Sequence, residues 1–236
     1  MINEAIILAG GLGTRLRTVI SDIPKCMAPI NGKPFLYYLL ENLKNKGIEN
    51  FIFSVGHLHE IIERYLNENY ANLNYKISLE EEPLGTGGAI KSACLKTSQK
   101  NILVCNGDTF YNIDVDLLYK FHEEKKGSCS QCLKPMQNFD RYGAVELNSD
   151  QSIKSFKEKK FYASGLINGG IYVLNVIDFL NGNLPEKFSF EKDYLERNIH
   201  KPGEKQNLFG MIQDEYFIDI GVPEDYEKAQ KELPLN

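Results

Sequence analysis

The apolar run Ala5–Ala9 passes directly into a glycine-rich segment, Leu8 to Arg17, reading LAGGLGTRLR. A strand followed at once by Gly10, Gly11 and Gly13 can turn sharply and present several backbone N–H groups to an anion with no Cβ in the way. Thr14 and Arg15 add polar reach, so the segment reads as a phosphate-holding loop at the carboxyl end of a strand. A tight turn alone would account for one glycine, not for three followed by two arginines. Two familiar phosphate motifs do not fit. Counting G-x-G-x-x-G from Gly11 puts Leu16 in the last position, and Gly32-Lys33 is followed by Pro34 where a P-loop needs Ser or Thr. Neither a dehydrogenase nor a P-loop kinase is supported.

The chain around this loop alternates. Strands are expected at Glu4–Ala9, Phe51–Val55, near Tyr75–Leu79 and at Ile102–Cys105, with helices at Phe35–Lys46, Glu60–Asn67 and near Gly88–Leu95 between them. This predicts a doubly wound α/β fold with a mainly parallel sheet, whose ligands belong at the strands' carboxyl ends. The second half is less regular. Strands at Ala144–Leu147, Ile153–Lys157, Ile171–Leu174 and Leu208–Ile212 and a closing helix from Pro223 read as an elaboration that carries substrate contacts. With 236 residues, 42% of them hydrophobic, and no repeat or long linker, residues 1–236 are expected to form one domain. Residues 1–126 would mainly bind nucleotide, and 127–236 would mainly bind the second substrate and close the fold.

Several classes are disfavoured. A net charge of −5 argues against duplex nucleic-acid binding. The apolar run Ala5–Ala9 is too short to span a bilayer and lacks the flanks of a secretory signal, so no membrane association and a cytoplasmic location are expected. Five cysteines do not suit a disulfide framework. Cys129 and Cys132 form a lone C-x-x-C in a segment that alternates like a strand, which reads as structural rather than zinc-binding. His57 and His59 have no evident third metal ligand.

Three further segments bear charge where such a sheet would need it. Lys25 lies in IPKCMAPINGKP, where Pro24, Pro29 and Pro34 restrict the backbone and fix a cation opposite the loop. Asn106-Gly107-Asp108 follows an apolar strand, placing Asp108 as a magnesium ligand. Magnesium takes one or two carboxylates beside substrate phosphates, and Asp219 in FIDIGVP fits as the second. Either aspartate taken alone also fits a helix or turn cap.

Together LAGGLGTRL, PKCMAPINGKP, EEPLGTGGA, NGD, EKK, NGGIY and FIDIGVPEDY resemble the sugar-1-phosphate nucleotidyltransferases, over Ala5 to Tyr226. The resemblance is nearest to D-glycero-D-manno-heptose 1-phosphate guanylyltransferases, with mannose-1-phosphate guanylyltransferases next. It implies a Rossmann-like fold, Mg²⁺, the substrates GTP and a sugar 1-phosphate, and a homodimer. It implies that Arg15 binds the β and γ phosphates, Lys25 the α-phosphate region, and Asp108 with Asp219 the metal. Leu8, Gly10, Gly11, Gly13, Thr14, Gly85 and Asn106 would line the nucleotide. Glu158 and Lys159 match the family's Glu-Lys pair for the sugar phosphate, with Lys160 where many relatives have proline. Asn168, Gly169 and Gly170 match a sugar-contact turn, and Glu191 would complete that pocket.

Base choice falls to Glu80–Gly85. Guanine offers two adjacent donors that one carboxylate can accept, which points to GTP with Glu80 as reader. Main-chain groups near Gly11 and Gly85 are the alternative readers. Mannose 1-phosphate, another base such as cytosine, or a non-catalytic nucleotide-sugar sensor remain alternative readings.

Overall fold

The computed structural model describes residues 1–11, 22–199 and 207–233. Its first half runs β1 (Glu4–Leu8), β2 (Pro29–Ile30), β3 (Lys33–Pro34), α1 (Phe35–Asn45), β4 (Asn50–Val55), α2 (His59–Asn69), β5 (Asn74–Leu79), α3 (Gly85–Cys94), β6 (Asn101–Asn106), β7 (Thr109–Tyr111) and α4 (Val115–Lys125). The second half adds β8 (Cys129–Phe139), β9 (Ala144–Leu147), β10 (Ile153–Phe156), β11 (Tyr162–Asn175), α5 (Val176–Leu180), β12 (Leu208–Ile212), β13 (Phe217–Asp219) and α6 (Pro223–Glu232).

The strands β5, β4, β1 and β6 lie side by side and parallel. The residues of β1, β4 and β6 are almost all buried on both faces, as strands between two helical layers require, whereas β5, at the edge, keeps Asn74, Lys76 and Leu79 exposed. On β6, Leu103 and Cys105 enter the core under α1, α2 and α4, whereas Ile102 and Val104 enter the core that holds Ile90 of α3 and Phe179 of α5. The same alternation disposes of the C-x-x-C. Cys129 and Cys132, three apart on β8, reach opposite cores, and burial pushes the Cys132 thiol up to about 12.

The elaboration is built on β11. Its Ile171–Asn175 end pairs antiparallel with β6, Leu166 and Ile167 pair with β9, and its other edge runs along β8, which β12 joins in parallel. The expected strand Ile171–Leu174 is thus the last part of a 14-residue strand. The glycines and Asn168 conceal its length in the sequence, because they sit at a register shift between Asn168 and Tyr172. The short elements β7 and α5 and the helix α4 were not expected; α4 starts on Asp114, whose side chain accepts the Leu117 N–H at 2.8 Å. Among the described residues no helix is long and apolar enough to cross a membrane.

His122 of α4 is buried, with Nδ1 2.9 Å from Ser130 Oγ on β8. Burial pushes its imidazole down to about 4. The unfolded chain therefore takes up a proton from about pH 6.5 downward while the folded chain does not. Stability from this site is complete above that pH and falls by roughly 3 kcal/mol as pH drops to 4. Urea unfolding at pH 7 and pH 4 is expected to show a smaller pH-dependent loss in His122→Gln than in the parent; equal losses would refute the assignment.

Candidate active site

Register sets the site. Leu8 of β1 is aligned with both Ser54 of β4 and Asn106 of β6, and Val55 is aligned with Leu79 of β5. The four parallel strands end level, so Gly10, Gly56, Glu80 and Gly107-Asp108 follow along one carboxyl-end rim. The chain reverses its order of strand addition between β1 and β6, which is where an open α/β sheet leaves a crevice.

Two cavities adjoin along this rim, sharing Leu8, Gly11 and Thr86. The larger, about 590 Å³, is lined by Gly10, Glu80, Gly85 and Ala89 among others, with His57 and His59 on its wall. The smaller, about 270 Å³, is lined by Lys25, Asn106, Asp108, Glu191 and Gly221 among others.

In the larger cavity the Glu80 carboxylate is held at both oxygens. The Ser54 hydroxyl donates to Oε1 at 3.2 Å and the Leu84 N–H donates to Oε2 at 3.1 Å. A Cβ on Gly10 would lie 2.9 Å from Oε1 and 3.3 Å from the Gly56 nitrogen, so a larger residue here would displace this carboxylate. Glu81 and Glu82, by contrast, are exposed. His59 is engaged locally, its Nδ1 2.6 Å from Glu63 Oε1.

In the smaller cavity, Lys25 opens a single 3₁₀ turn, Lys25–Met27, after Pro24. Cys26 and Met27 anchor that turn in one core, while Ala28 and Ile30 anchor the following residues in a satellite core with Ile218 and Ile220. The Lys25 ammonium contacts Asp108 Oδ2 and lies 3.6 Å from Asp219 Oδ1. A two-stranded ladder brings these aspartates together. Thr109 of β7 pairs with Asp219 of β13, and the Ile220 N–H donates to the Asp108 carbonyl at 3.0 Å. Asp219 Oδ1 accepts the Gly221 N–H at 2.7 Å, and the Tyr142 hydroxyl lies 3.5 Å from Oδ2. A Cβ on Gly221 would sit 2.8 Å from Asp219 Oδ1 and 3.0 Å from Lys25 Nζ.

Burial raises the Asp219 carboxyl above its ordinary range, the Asp108 charge adds to the rise, and Lys25 opposes it. Two carboxylates facing one ammonium leave net negative charge, a donor set suited to a hard divalent cation that completes its shell with phosphate oxygens. Among the described residues no group of three or more His, Cys, Asp or Glu gathers as an all-protein metal cage.

The remaining predicted residues divide. Glu191 lines the smaller cavity from a π-helical turn, Phe190–Leu195. Asn168, Gly169 and Gly170 form a bulge within β11 rather than a turn, because pairing to β8 resumes on both sides. The Asn168 side chain holds that bulge, accepting the Gly170 N–H at 3.0 Å and donating to the Tyr172 hydroxyl at 2.7 Å. Gly170 (φ +71°) lies against the Asn106 amide, where a Cβ would be 2.6 Å from Nδ2. Glu158 and Lys159 follow β10, are exposed, and line neither cavity. Gly13, Thr14 and Arg15 lie outside the described residues. Sequence reasoning did not single out Thr86, Gly221 or Tyr142. The first two stand inside the motifs EEPLGTGGA and FIDIGVPEDY, so close motif reading could have reached them; Tyr142 carries no such signal.

Comparison with known proteins gives a concordant result. The chain is 48% identical, over 98% of each, to a D-glycero-alpha-D-manno-heptose 1-phosphate guanylyltransferase of Aneurinibacillus thermoaerophilus. It is 49% identical to one of Campylobacter jejuni subsp. jejuni serotype O:2, over 94% of this chain and 96% of the other. The crystal structure of HddC from Yersinia pseudotuberculosis, also solved complexed with GMP-PN, superposes with TM-score 0.84 at 38% identity, covering 98% of this chain and 99% of that one. A family model described as nucleotidyl transferase matches residues 4–235. The chain, with its rim of paired carboxylates, lysine and glycine turns, belongs to the nucleotidyl transferase family.

Proposed function

We propose that the protein transfers the guanylyl group of GTP to D-glycero-α-D-manno-heptose 1-phosphate, giving GDP-heptose and pyrophosphate, in the cytoplasm. The observation that carries this reading is near-half identity to two heptose 1-phosphate guanylyltransferases over almost the whole of both chains. The chemistry of the rim supports it.

A phosphate oxygen of the sugar phosphate attacks the α-phosphorus of GTP. The bond from that phosphorus to the bridging oxygen breaks, and its electron pair leaves with pyrophosphate. No general base is required, because a sugar phosphate with a second pKa near 6 is mostly dianionic at neutral pH. This removes any need for a catalytic histidine. The protein's task is to hold two polyanions in line and to balance their charge.

In this reading Leu8, Gly10, Gly11, Gly85 and Asn106 shape the nucleotide side, and Glu80 accepts the N1–H and amine of guanine. Ser54 and Leu84 orient that carboxylate and leave it lone pairs to spare. Lys25 brings its ammonium to the α-phosphate from between the two aspartates. Asp108 and Asp219 would hold Mg²⁺, and Arg15 would meet the β and γ phosphates. When bound, Mg²⁺ offsets the charge that develops on the transferred and leaving phosphates. Glu191 would contact the sugar from the smaller cavity, whereas Asn168, Gly169, Glu158 and Lys159 line neither cavity, and their sugar roles rest on the motif resemblance alone.

A panel of nucleoside triphosphates and sugar 1-phosphates tests the substrate pair. Pyrophosphate release is expected to be fastest with GTP and heptose 1-phosphate; equal or faster release with mannose 1-phosphate would transfer the assignment to that sugar. Asp108→Asn is expected to lower turnover by about 100-fold or more with an unchanged fold by circular dichroism, since it removes a charge that acts on the reacting phosphates. Normal turnover in that variant would rule out the metal role. Glu80→Gln is expected to reduce the preference for GTP over the other triphosphates by about tenfold, the effect of one lost charged hydrogen bond. An unchanged preference would move base reading to the main chain.

A further inference from the structure

Thr86 stands where the two cavities meet and belongs to the linings of both. It is on the first turn of α3, the turn that also walls the nucleotide cavity with Gly85. Its hydroxyl is engaged twice. The Phe190 N–H donates to Thr86 Oγ1 at 2.9 Å, and Thr86 Oγ1 donates to Glu191 Oε2 at 2.9 Å. A hydroxyl has one proton, so once a lone pair receives the Phe190 N–H the proton is directed to the carboxylate. Ser189 Oγ donates to the same oxygen at 3.1 Å. Both donors therefore hold Oε2, and among the described residues no hydrogen bond is made to Oε1, which is free to meet a ligand.

The main chain here is secured by other means. The Phe188 N–H donates to the Leu84 carbonyl at 3.0 Å and the Gly87 N–H donates to the Phe188 carbonyl at 3.0 Å. Phe188 and Phe190 are buried in the core. A Cβ on Gly88 would lie 2.2 Å from the Glu186 carbonyl oxygen, so this segment lies tight along α3. With the backbone clamped, what the Thr86 hydroxyl contributes is the direction of the Glu191 side chain.

We infer that Thr86 is a positioning residue, which fixes the Glu191 carboxylate so that it presents one oxygen to the hydroxyls of the sugar phosphate. The inference rests on the placement of Glu191 at the sugar proposed above. Thr86→Val keeps the branched shape and removes the hydroxyl; Thr86→Ser keeps the hydroxyl. Steady-state kinetics with GTP and heptose 1-phosphate, together with calorimetric titration of GTP, provide the test. Thr86→Val is expected to raise KM for the sugar phosphate about tenfold, the cost of one charge-assisted hydrogen bond. GTP affinity should stay within about twofold, and Thr86→Ser should restore the sugar KM. In Thr86→Val/Glu191→Gln the sugar KM should rise no further than in Glu191→Gln alone. An equal loss of GTP and sugar affinity would make Thr86 a wall of the nucleotide cavity and overturn the inference, as would an unchanged sugar KM. Glu191→Gln distinguishes the two levels. If it raises the sugar KM and Thr86→Val does not, the positioning role alone fails; if it leaves the sugar KM unchanged, the placement of Glu191 fails and this inference with it.

Discussion

The parallel register that sets Leu8 between Ser54 and Asn106 is the constraint on which the other features rest. A slip of one residue in a strand exchanges the side chains of its two faces. Here each face feeds a different core, Ile7 one and Ile6 the other, and both residues are fully buried. Two isoleucines at these positions do not choose between registers by polarity, so the packing of each core against its own helices has to hold the register. The level strand ends follow, and so does the rim. Gly107 then approaches β1 so closely that a Cβ would lie 2.6 Å from the Leu8 carbonyl oxygen. The carboxyl-end rim is therefore a consequence of core packing several residues below it.

The second half is attached to that edge by β11, and one irregularity in β11 brings it against the rim. Where Gly170 leaves the pleat, the strand presses on Asn106 at the end of β6. A regular strand would carry pairing straight past the rim. A bulge bends the strand and re-aims its residues, which is a common use of bulges beside active sites. Asn168 stabilises the bulge through its own side chain, so a residue matched to sugar contact also maintains the local backbone. The two roles are compatible, since an amide offers more donors and acceptors than these two bonds use.

What was legible in the sequence was what repeats locally. The alternation of apolar strands and helical patterns marked β1, β4, β5 and β6 and the helices between them, because each carries its own periodicity. The glycine motifs marked the rim, because close approach requires a specific residue at a specific place. The long strands β8 and β11 were under-read because their polar and glycine residues are stabilised by pairing with each other, a contact no local window contains. The short strands β7 and β13 depend wholly on long-range pairing, yet they bring Asp108 and Asp219 together. The aspartates were identifiable from strand ends and motif resemblance; the ladder that joins them was not. Thr86 was hidden differently. Its partners, Phe190 and Glu191, lie on a distant segment, and a threonine in a glycine-rich turn shows nothing of that link.

The balance of charge explains why these links are necessary. The carboxylates of Glu60, Glu80, Glu81, Asp108 and Glu191 line the two cavities, whereas Lys25 is the one lysine or arginine among the described residues that does so. Glu60 and Glu81 are exposed, so solvent screens their charge; the other three would repel a nucleoside triphosphate and a sugar phosphate unless committed. Glu80 is held by Ser54 and Leu84, Glu191 by Thr86 and Ser189, and Asp108 by Lys25. A carboxylate fixed by donors faces the ligand with a defined lone pair, which can accept from guanine or from sugar hydroxyls without meeting phosphate oxygens. Asp108 and Asp219 differ from those two in meeting at Lys25, where their excess charge favours a cation. In the proposed reading, the rim thus combines acceptors that would read neutral parts of the substrates with a charged cluster that would handle phosphate. That combination is maintained by hydrogen bonds between segments far apart in the chain, so the fold and the selectivity of the site depend on the same contacts.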